Sequence, residues 1–405
     1  MLYDLHELQR AFLAPLAAFT GTGSQFFSNP YSPLAYTPFS RQFAAAYELA
    51  NRLGKEYEKP EWNLHSTTIG THEVAVSEDT TIAQPFCHLV HFRRDTPHND
   101  PVVLLVAPLS GHHATLLRDT VRTLLPSHDV YVTDWIDARI VPADEGTFGL
   151  DDYVRYIQTF LRHLGPDTHV ISVCQPTVPV LAAISLLASA DDACQPRSMI
   201  MMGGPIDARK SPTQVNRLAT TKSYAWFEDN LIHRVPTRYP GAGRPVYPGF
   251  LQHAGFVAMN PDRHVKSHYD FYLHLLRGDE SDAEVHRRFY DEYNAVLDMP
   301  ARFYLDTIRI VFQDFSLPRG LWKIDGTLVE PSAISKTALM TIEGELDDIS
   351  GQGQTHAAHD LCTQLAPSMR EHYTANHCGH YGIFSGSRWR QQIHPKISEF
   401  IRAHA

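Results

Sequence analysis

The segment around Cys174 constrains the fold most, because a short apolar run there turns directly into a helix. Residues 169–173 are rich in β-branched side chains and follow the breaker Gly-Pro-Asp at 165–167, a pattern typical of a buried strand. Pro176 suits the first turn of a helix, where its missing N–H leaves no hydrogen bond unmade, and residues 178–187 continue that helix. A strand that turns this sharply lifts the residue at the bend above the sheet edge, and that residue is Cys174.

Strand and helix patterns alternate along most of the chain. Strand-like runs occur at 73–76, 86–92, 102–107, 129–134, 169–173, 198–202, 337–342 and 371–374, and helical patterns at 114–125, 150–164, 178–187, 355–365 and 389–401. Alternation at this spacing predicts an α/β fold, with a mostly parallel central sheet and helices on both faces. The hydrophobic content of 43% supports an ordinary globular core.

The alternation stops between residues 208 and 336, where we find no strand pattern and expect helices. The helical patterns lie at 263–277, 281–297 and 301–312. The many aromatic residues of this region fit a lid over an apolar substrate and fit ordinary core packing about equally well. We therefore expect an N-terminal helical and extended arm at 1–67, a first core segment at 68–207, a helical lid insertion at 208–336 and a second core segment at 337–405.

The N-terminus carries an apolar stripe at helical spacing. Leu2, Leu5, Leu8, Phe12 and Leu16 predict an amphipathic helix. Packing of this stripe on the body of the protein is favoured about twofold over an exposed face that binds lipid or polymer. Residues 26–39 are aromatic and interrupted by prolines, which is incompatible with a regular helix and indicates an arm lying across a surface.

The bend at Cys174 is the setting of the nucleophile elbow of α/β-hydrolases, whose signature is G-x-S-x-G. The window here is Ser172-Val-Cys-Gln-Pro176, so both glycines and the serine are replaced and the motif by itself is weak. A helix N-terminus stabilises a thiolate, which is the reactive form of cysteine. A cysteine in an apolar strand is more often an inert buried residue. Whether Cys174 is a nucleophile therefore depends on catalytic partners elsewhere in the chain.

Two further polar loops follow strands in the chain order nucleophile, acid, histidine. Asp347 lies in a carboxylate-rich turn after the strand at 337–342, and His380 lies in a glycine-flanked loop after the last strand. Ligands collect at this edge of open α/β sheets. Asp347 and His380 are preferred, but spacing alone does not exclude their neighbours Asp348 and His377.

The chemistry assigns a role to each group. His380 would take the proton of Cys174 and later protonate the leaving alcohol, while Asp347 would fix the imidazole tautomer. A developing oxyanion needs two fixed donors. We expect these to be the backbone N–H groups of Gln175, directly after the nucleophile, and of Ser110, in the loop at 109–111.

Several longer runs carry a resemblance to a known family. They are Met1-Leu-Tyr with His6-Glu-Leu-Gln-Arg-Ala-Phe, Asn29-Pro-Tyr-Ser-Pro, Ala107-Pro-Leu-Ser-Gly-His-His, Ser172-Val-Cys-Gln-Pro-Thr-Val-Pro, Met202-Gly-Gly-Pro-Ile-Asp, Tyr247-Pro-Gly-Phe-Leu-Gln, Gly344-Glu-Leu-Asp-Asp-Ile-Ser-Gly and Gly379-His-Tyr-Gly-Ile-Phe-Ser-Gly. Over nearly the whole chain the sequence resembles the bacterial intracellular polyhydroxyalkanoate depolymerases. The resemblance implies an α/β-hydrolase with a cysteine nucleophile that acts on the amorphous poly(3-hydroxybutyrate) of intracellular storage granules. It also implies that the catalytic Cys, Asp and His are Cys174, Asp347 and His380.

Composition and charge argue against several other classes of protein. The formal charge of −10 without a basic block argues against a nucleic-acid binder. Five cysteines at irregular spacing, without C-x-x-C, indicate neither a disulfide framework nor a zinc site and favour a reducing compartment. We expect no metal, no cofactor, no signal peptide and no transmembrane segment, and hence a cytoplasmic protein associated with polyhydroxyalkanoate granules.

Three functions remain open at this stage. The first is ester hydrolysis through an acyl-cysteine, which releases 3-hydroxybutyrate or its oligomers. The second is an acyltransferase or thiolytic enzyme of the polyhydroxyalkanoate synthase type, with coenzyme A or a growing chain as acceptor; synthases usually keep the glycines that this chain lacks. The third is a granule-coating protein that uses the N-terminal helix and arm. The oligomeric state, including a homodimer, is also open.

Overall fold

A large sheet forms the centre of the computed structural model, which describes residues 2–97 and 99–405. The strands are β1 (Ser66–Ile69), β2 (His72–Gln84), β3 (Cys87–Arg94), β4 (Val102–Val106), β5 (Asp129–Trp135), β6 (Thr168–Val173), β7 (Ser198–Met202), β8 (His233–Arg234), β9 (Pro245–Tyr247), β10 (Met299–Pro300), β11 (Lys323–Ile324), β12 (Thr327–Leu328), β13 (Ala338–Gly344) and β14 (Arg370–Ala375). Within the described residues, the large sheet has the order β1-β2-β3-β5-β4-β6-β7-β13-β14.

Helices connect and cover these strands. They are α1 (Leu2–Ser28), α2 (Ser40–Gly54), α3 (Arg118–Leu124), α4 (Leu150–Leu164), α5 (Thr177–Ser189), α6 (Gln214–Thr221), α7 (Tyr224–Leu231), α8 (Gly249–Met259), α9 (Pro261–Arg277), α10 (Glu280–Asn294), α11 (Ala301–Thr307), α12 (Ala358–Leu361), α13 (Gly386–Arg388) and α14 (His394–Ala403). Among the described residues, no helix combines the length and the apolar character needed to cross a bilayer.

The prediction of an α/β-hydrolase fold with a mostly parallel sheet is confirmed. From β5 to β14 every neighbouring pair of strands in the sheet is parallel, whereas β1, β2 and β3 pair antiparallel at one end. Every residue of β6, β7 and β13 is buried, because helices cover both faces of the central strands. Parallel strands end at the same edge, so the loops after β6, β13 and β14 meet there.

The insertion between β7 and β13 is largely helical, as expected, and contains α6 to α11. It also holds a three-stranded sheet of β8, β9 and β10 and a hairpin of β11 and β12, which the sequence pattern missed. Strands of two or three residues are too short to show a period. The insertion is fixed to the core by aromatic stacking, for example between Tyr153 of α4 and Phe303 of α11, whose ring centroids lie 5.6 Å apart.

The N-terminal helix lies against the body of the protein, but through the face opposite to the one expected. The buried residues of α1 are Tyr3, Glu7, Ala17, Thr20 and Ser24, while the leucines and phenylalanines of the apolar stripe are exposed. Phe26 and Phe27 belong to α1, and the residues that follow form a short connection with a 3-10 turn at Pro33–Tyr36 before α2. The predicted arm is thus the tip of a helical hairpin and does not lie across a surface.

Candidate active site

Cys174 lies at the sharp bend between β6 and α5. Its φ of 69° is in the left-handed region, which is strained for any residue with a side chain. The backbone N–H of Cys174 donates a 2.7 Å hydrogen bond to the carbonyl of Met202, at the end of β7. The neighbouring strand therefore holds the bend, and the partly exposed thiol stands at the sheet edge beside the N-terminus of α5.

Two glycines that directly follow β7, Gly203 and Gly204, leave the space that the elbow needs. A Cβ atom at Gly204 would lie 2.4 Å from the carbonyl oxygen of Cys174 and 1.9 Å from Oγ1 of Thr177, so no side chain fits there. Gly203 has a φ of 56°, and a Cβ atom on it would lie 3.3 Å from Oδ2 of Asp347. The sequence signal for this missed feature is the Gly-Gly pair directly after the strand ending at Met202.

Replacing Gly204 with alanine should therefore disturb the elbow and the fold. We expect a loss of about 1–3 kcal/mol in the free energy of unfolding, because the new methyl group overpacks a backbone carbonyl. Activity should fall more than tenfold, since Cys174 would be displaced. Urea unfolding and ester hydrolysis measure the two effects. Gly54→Ala is the control, because its Cβ would meet only an ordinary contact at 3.6 Å; equal behaviour of the two variants would contradict the prediction.

His380 and Asp347 form a buried pair beside Cys174. Nδ1 of His380 lies 2.7 Å from Oδ2 of Asp347, and the Asp347 side chain is inaccessible to solvent. The other carboxylate oxygen of Asp347 accepts hydrogen bonds from the backbone N–H groups of Ile349, at 2.9 Å, and Ser350, at 2.8 Å. Both oxygens are thus engaged, which fixes the carboxylate and makes Nδ1 of the imidazole the donor.

The electrostatics of the pair favour a protonated imidazole. Burial lowers the pKa of His380, but the neighbouring Asp347 carboxylate and the Cys174 side chain outweigh burial and hold that pKa well above its ordinary value. Since Nδ1 is occupied by Asp347, Nε2 is the nitrogen left for the thiol. The arrangement lets Nε2 of His380 exchange a proton with the side chain of Cys174.

The neighbouring candidates lie elsewhere. His377 is exposed and lies near Glu345, and Asp348 accepts a 3.3 Å hydrogen bond from Nδ2 of Asn260 on the surface. The structure brings Asp347 and His380 together with Cys174 and leaves Asp348 and His377 outside this contact.

The loop that contains Ser110 faces the elbow across a shared cavity, which Ser110 and Gln175 both line. Within the described residues, neither backbone N–H donates to a backbone carbonyl. The insertion contacts this loop, because the carbonyl of Gly111 accepts a 2.9 Å hydrogen bond from the N–H of Leu297. The residues of both predicted oxyanion donors thus line the same cavity as Cys174.

The cavity has a volume of about 650 Å³ and a mainly apolar lining. Cys174 and His380 line the cavity together with aromatic residues of the insertion, namely Phe227, Tyr247, Phe256, Phe303, Tyr304 and Phe312. Other aromatics of the insertion, such as Phe271, are buried away from the cavity. Some aromatic residues of the insertion thus line the cavity, whereas others such as Phe271 serve core packing. The size and lining suit a neutral, apolar small ligand.

Gln252 is a polar lining residue that the sequence did not reveal. Its Nε2 donates to the carbonyls of Tyr247, at 2.8 Å, and Leu297, at 3.2 Å, which leaves Oε1 as a buried acceptor beside Gly111. Among the described residues, no group of three His, Cys, Asp or Glu side chains is arranged to hold a metal ion.

Comparison with known proteins identifies a family to which part of the sequence matches. A family model described as "PHB de-polymerase C-terminus" matches residues 203–405, which contain Gly203, Gly204, Asp347 and His380. A comparison with curated protein sequences found no significant match.

Solved structures with a similar fold include a putative lipase from Acinetobacter baumannii AYE, with 12% identity and a TM-score of 0.45 over 81% of this chain and 93% of that chain. The monoacylglycerol lipase of Paleococcus ferrophilus has 13% identity and a TM-score of 0.44 over 82% of this chain and 100% of that chain. At these identities the structural similarity concerns the fold alone. The family model covers half of the chain, and the chain therefore belongs to the poly(3-hydroxybutyrate) depolymerase family of ester hydrolases.

Proposed function

We propose that the protein cleaves ester bonds of amorphous poly(3-hydroxybutyrate) through an acyl-cysteine and releases 3-hydroxybutyrate or its oligomers. The observation that carries this proposal is the chain of contacts in which buried Asp347 holds His380 against Cys174 at a strained bend. Family membership supports the polyester as substrate.

In the acylation step, the Cys174 thiolate attacks the ester carbonyl carbon and forms a carbon–sulfur bond. The backbone N–H groups of Gln175 and Ser110 stabilise the oxyanion, a contribution on the order of 3 kcal/mol for each donor. When the carbon–oxygen bond breaks, protonated His380 gives its proton to the leaving alkoxide, which departs as a hydroxyl-ended chain.

In the deacylation step, now-neutral His380 takes a proton from water, and the resulting hydroxide attacks the thioester carbonyl. The carbon–sulfur bond breaks, the acid product leaves, and the thiolate and imidazolium are restored. Asp347 keeps the proton on Nδ1 throughout, so that Nε2 faces the reacting atoms in both steps.

The cavity supports a polyester as substrate. Its lining is mainly apolar, and its volume of about 650 Å³ admits a chain segment and not a packed solid. Only chains that can leave their neighbours reach Cys174, which fits amorphous polymer. We propose that residues 208–336 act as the lid over this cavity, between core segments at 68–207 and 337–405, and that the protein works at granule surfaces in the cytoplasm.

Product analysis tests the proposal. Purified protein is incubated with amorphous poly(3-hydroxybutyrate) particles, with and without coenzyme A. Free 3-hydroxybutyrate or its oligomers, formed equally in both samples, would support hydrolysis. Hydroxybutyryl-coenzyme A formed only when the thiol is present would make the thiolytic alternative the native reaction. No product in either sample would overturn the proposal and favour the synthase-like or granule-coating alternatives.

A further inference from the structure

The apolar stripe of α1 points into solvent. Leu5, Leu8, Phe12, Leu16 and Phe19 follow one another at three- or four-residue spacing, and Leu8 and Phe12 are 68% and 82% exposed. Exposed apolar side chains are common singly, but a continuous stripe of this length marks an interaction site. Phe26 of α1 and Tyr31, at the tip of the hairpin, extend the stripe. We call these seven residues the docking face.

The opposite, polar side of α1 is fixed to the body of the protein. The hydroxyl of Tyr3 donates a 2.6 Å hydrogen bond to buried Asp298, and Glu7 forms an ion pair with Arg238. Nδ2 of Asn51 in α2 donates a 2.7 Å hydrogen bond to the carbonyl of Ala17. These contacts would have to break before the helix could roll and bury its stripe. The tertiary contacts of α1 therefore keep the docking face exposed.

The chemistry of the docking face points to a neutral partner. Residues 11–40 contain no Asp, Glu, Lys, Arg or His. Helices that bind anionic membranes carry Lys and Arg on their polar face, and protein interfaces have a polar, charged rim. A polyester is uncharged, exposes methyl and methylene groups, and offers ester carbonyls as acceptors for hydroxyl donors such as Tyr31. The absence of charged residues from 11 to 40 therefore matches a polyester surface, and it matches neither an anionic membrane nor a typical protein interface.

The hairpin is also joined to the proposed lid. Arg287 of α10 forms an ion pair with Glu48 of α2 at 2.7 Å, and Arg52 of α2 pairs with Asp291 of α10 at 2.9 Å. The helix α10 stands beside the active site, where Tyr293 and Phe289 lie next to Tyr381. A surface bound by the docking face would thus be held at a fixed position relative to the lid.

We propose that the docking face binds directly to the surface of a neutral polyester particle and so brings the cavity to its substrate. This proposal rests on the proposed function, because that function supplies the polyester. Binding to the particle and cleavage in the cavity are then separate events carried by separate residues.

The test uses the double variant Leu8→Ser/Phe12→Ser and the matched control Ile140→Ser/Leu321→Ser, whose residues are exposed apolar side chains outside the docking face. Co-sedimentation with protein-free amorphous poly(3-hydroxybutyrate) particles measures binding, in a Cys174→Ala background so that the particles persist. We expect the docking-face variant to bind at least about tenfold more weakly, since each large apolar side chain contributes about that factor. The control should bind within about twofold of the parent protein.

Three outcomes would overturn the proposal. Unchanged particle binding by Leu8→Ser/Phe12→Ser would remove the docking face from binding. Equal binding to uncharged phosphatidylcholine vesicles would assign the face to lipid. A parent protein that sediments as a dimer and becomes a monomer in this variant would make the face an interface between two copies. Hydrolysis of soluble hydroxybutyrate oligomers, measured without the Cys174 substitution, separates this failure from that of the proposed function, because those oligomers need no particle.

Discussion

Cys174→Ala is expected to lower kcat on poly(3-hydroxybutyrate) by about 10⁵-fold, to the background rate. The substitution removes the thiol that forms the acyl intermediate in the proposed route, while the cavity and the proposed oxyanion donors remain. The fold should be unaffected, because alanine is smaller and Cys174 is partly exposed. Particle hydrolysis and thermal unfolding, measured side by side, check both statements.

The control for this variant is Cys194→Ala. Cys194 is also free and partly exposed, so its loss tests for a general effect of thiol removal. We expect Cys194→Ala to keep full activity. Substantial hydrolysis by Cys174→Ala would exclude Cys174 as the nucleophile, whatever the control does. Particle binding by Cys174→Ala should equal that of the unaltered protein.

Asp347→Asn is expected to lower kcat by about 10³- to 10⁴-fold with little change in overall structure. An amide at this position can donate to Nδ1 of His380, which places the imidazole proton on Nε2 and removes the base from the thiol. The backbone donors of Ile349 and Ser350 lose a charged acceptor as well. Asp348→Asn is the matched control, because its side chain contacts Asn260 and not His380.

The same variant should change the pH dependence. The pKa of His380 is raised in the folded protein, mainly by Asp347 and Cys174 against the effect of burial. The imidazolium therefore persists above its ordinary pKa of about 6.5, and activity should decline only as the pH rises through the raised value. The charge also stabilises the fold fully below pH ~6.5, and this stabilisation is lost through the same raised pKa. In Asp347→Asn the alkaline decline should move to lower pH; an unchanged profile would show that another group titrates.

Much of the architecture follows from local patterns. Residues 169–173 and 198–202 read as buried strands because β-branched and apolar side chains run without interruption, and both are strands of the sheet. The helices α9 and α10 were predicted from their period within a few residues at each end. Cys174, Asp347 and His380 were selected because each follows a strand, and parallel strands end at one edge.

Other features depended on contacts between distant segments. The elbow lacks its usual glycines, and nothing in the sequence around Cys174 indicates that Gly204, just after β7, leaves the space for its carbonyl. The strands β8 to β12 are too short for a period and exist through pairing alone. The spacing of the sequence does not exclude Asp348 beside the preferred Asp347, and the fold brings Asp347 into contact with His380.

The N-terminal helix α1 shows most clearly which features the sequence determines and which the tertiary structure determines. The sequence by itself determined that α1 is a helix with one apolar stripe, because spacing along the chain sets which residues share a face. Only the tertiary structure decided which face is buried, through Tyr3 on Asp298 and Asn51 on Ala17. The physical reason is that the direction of a helix face is set by the partners it meets, and those partners lie hundreds of residues away or on another helix.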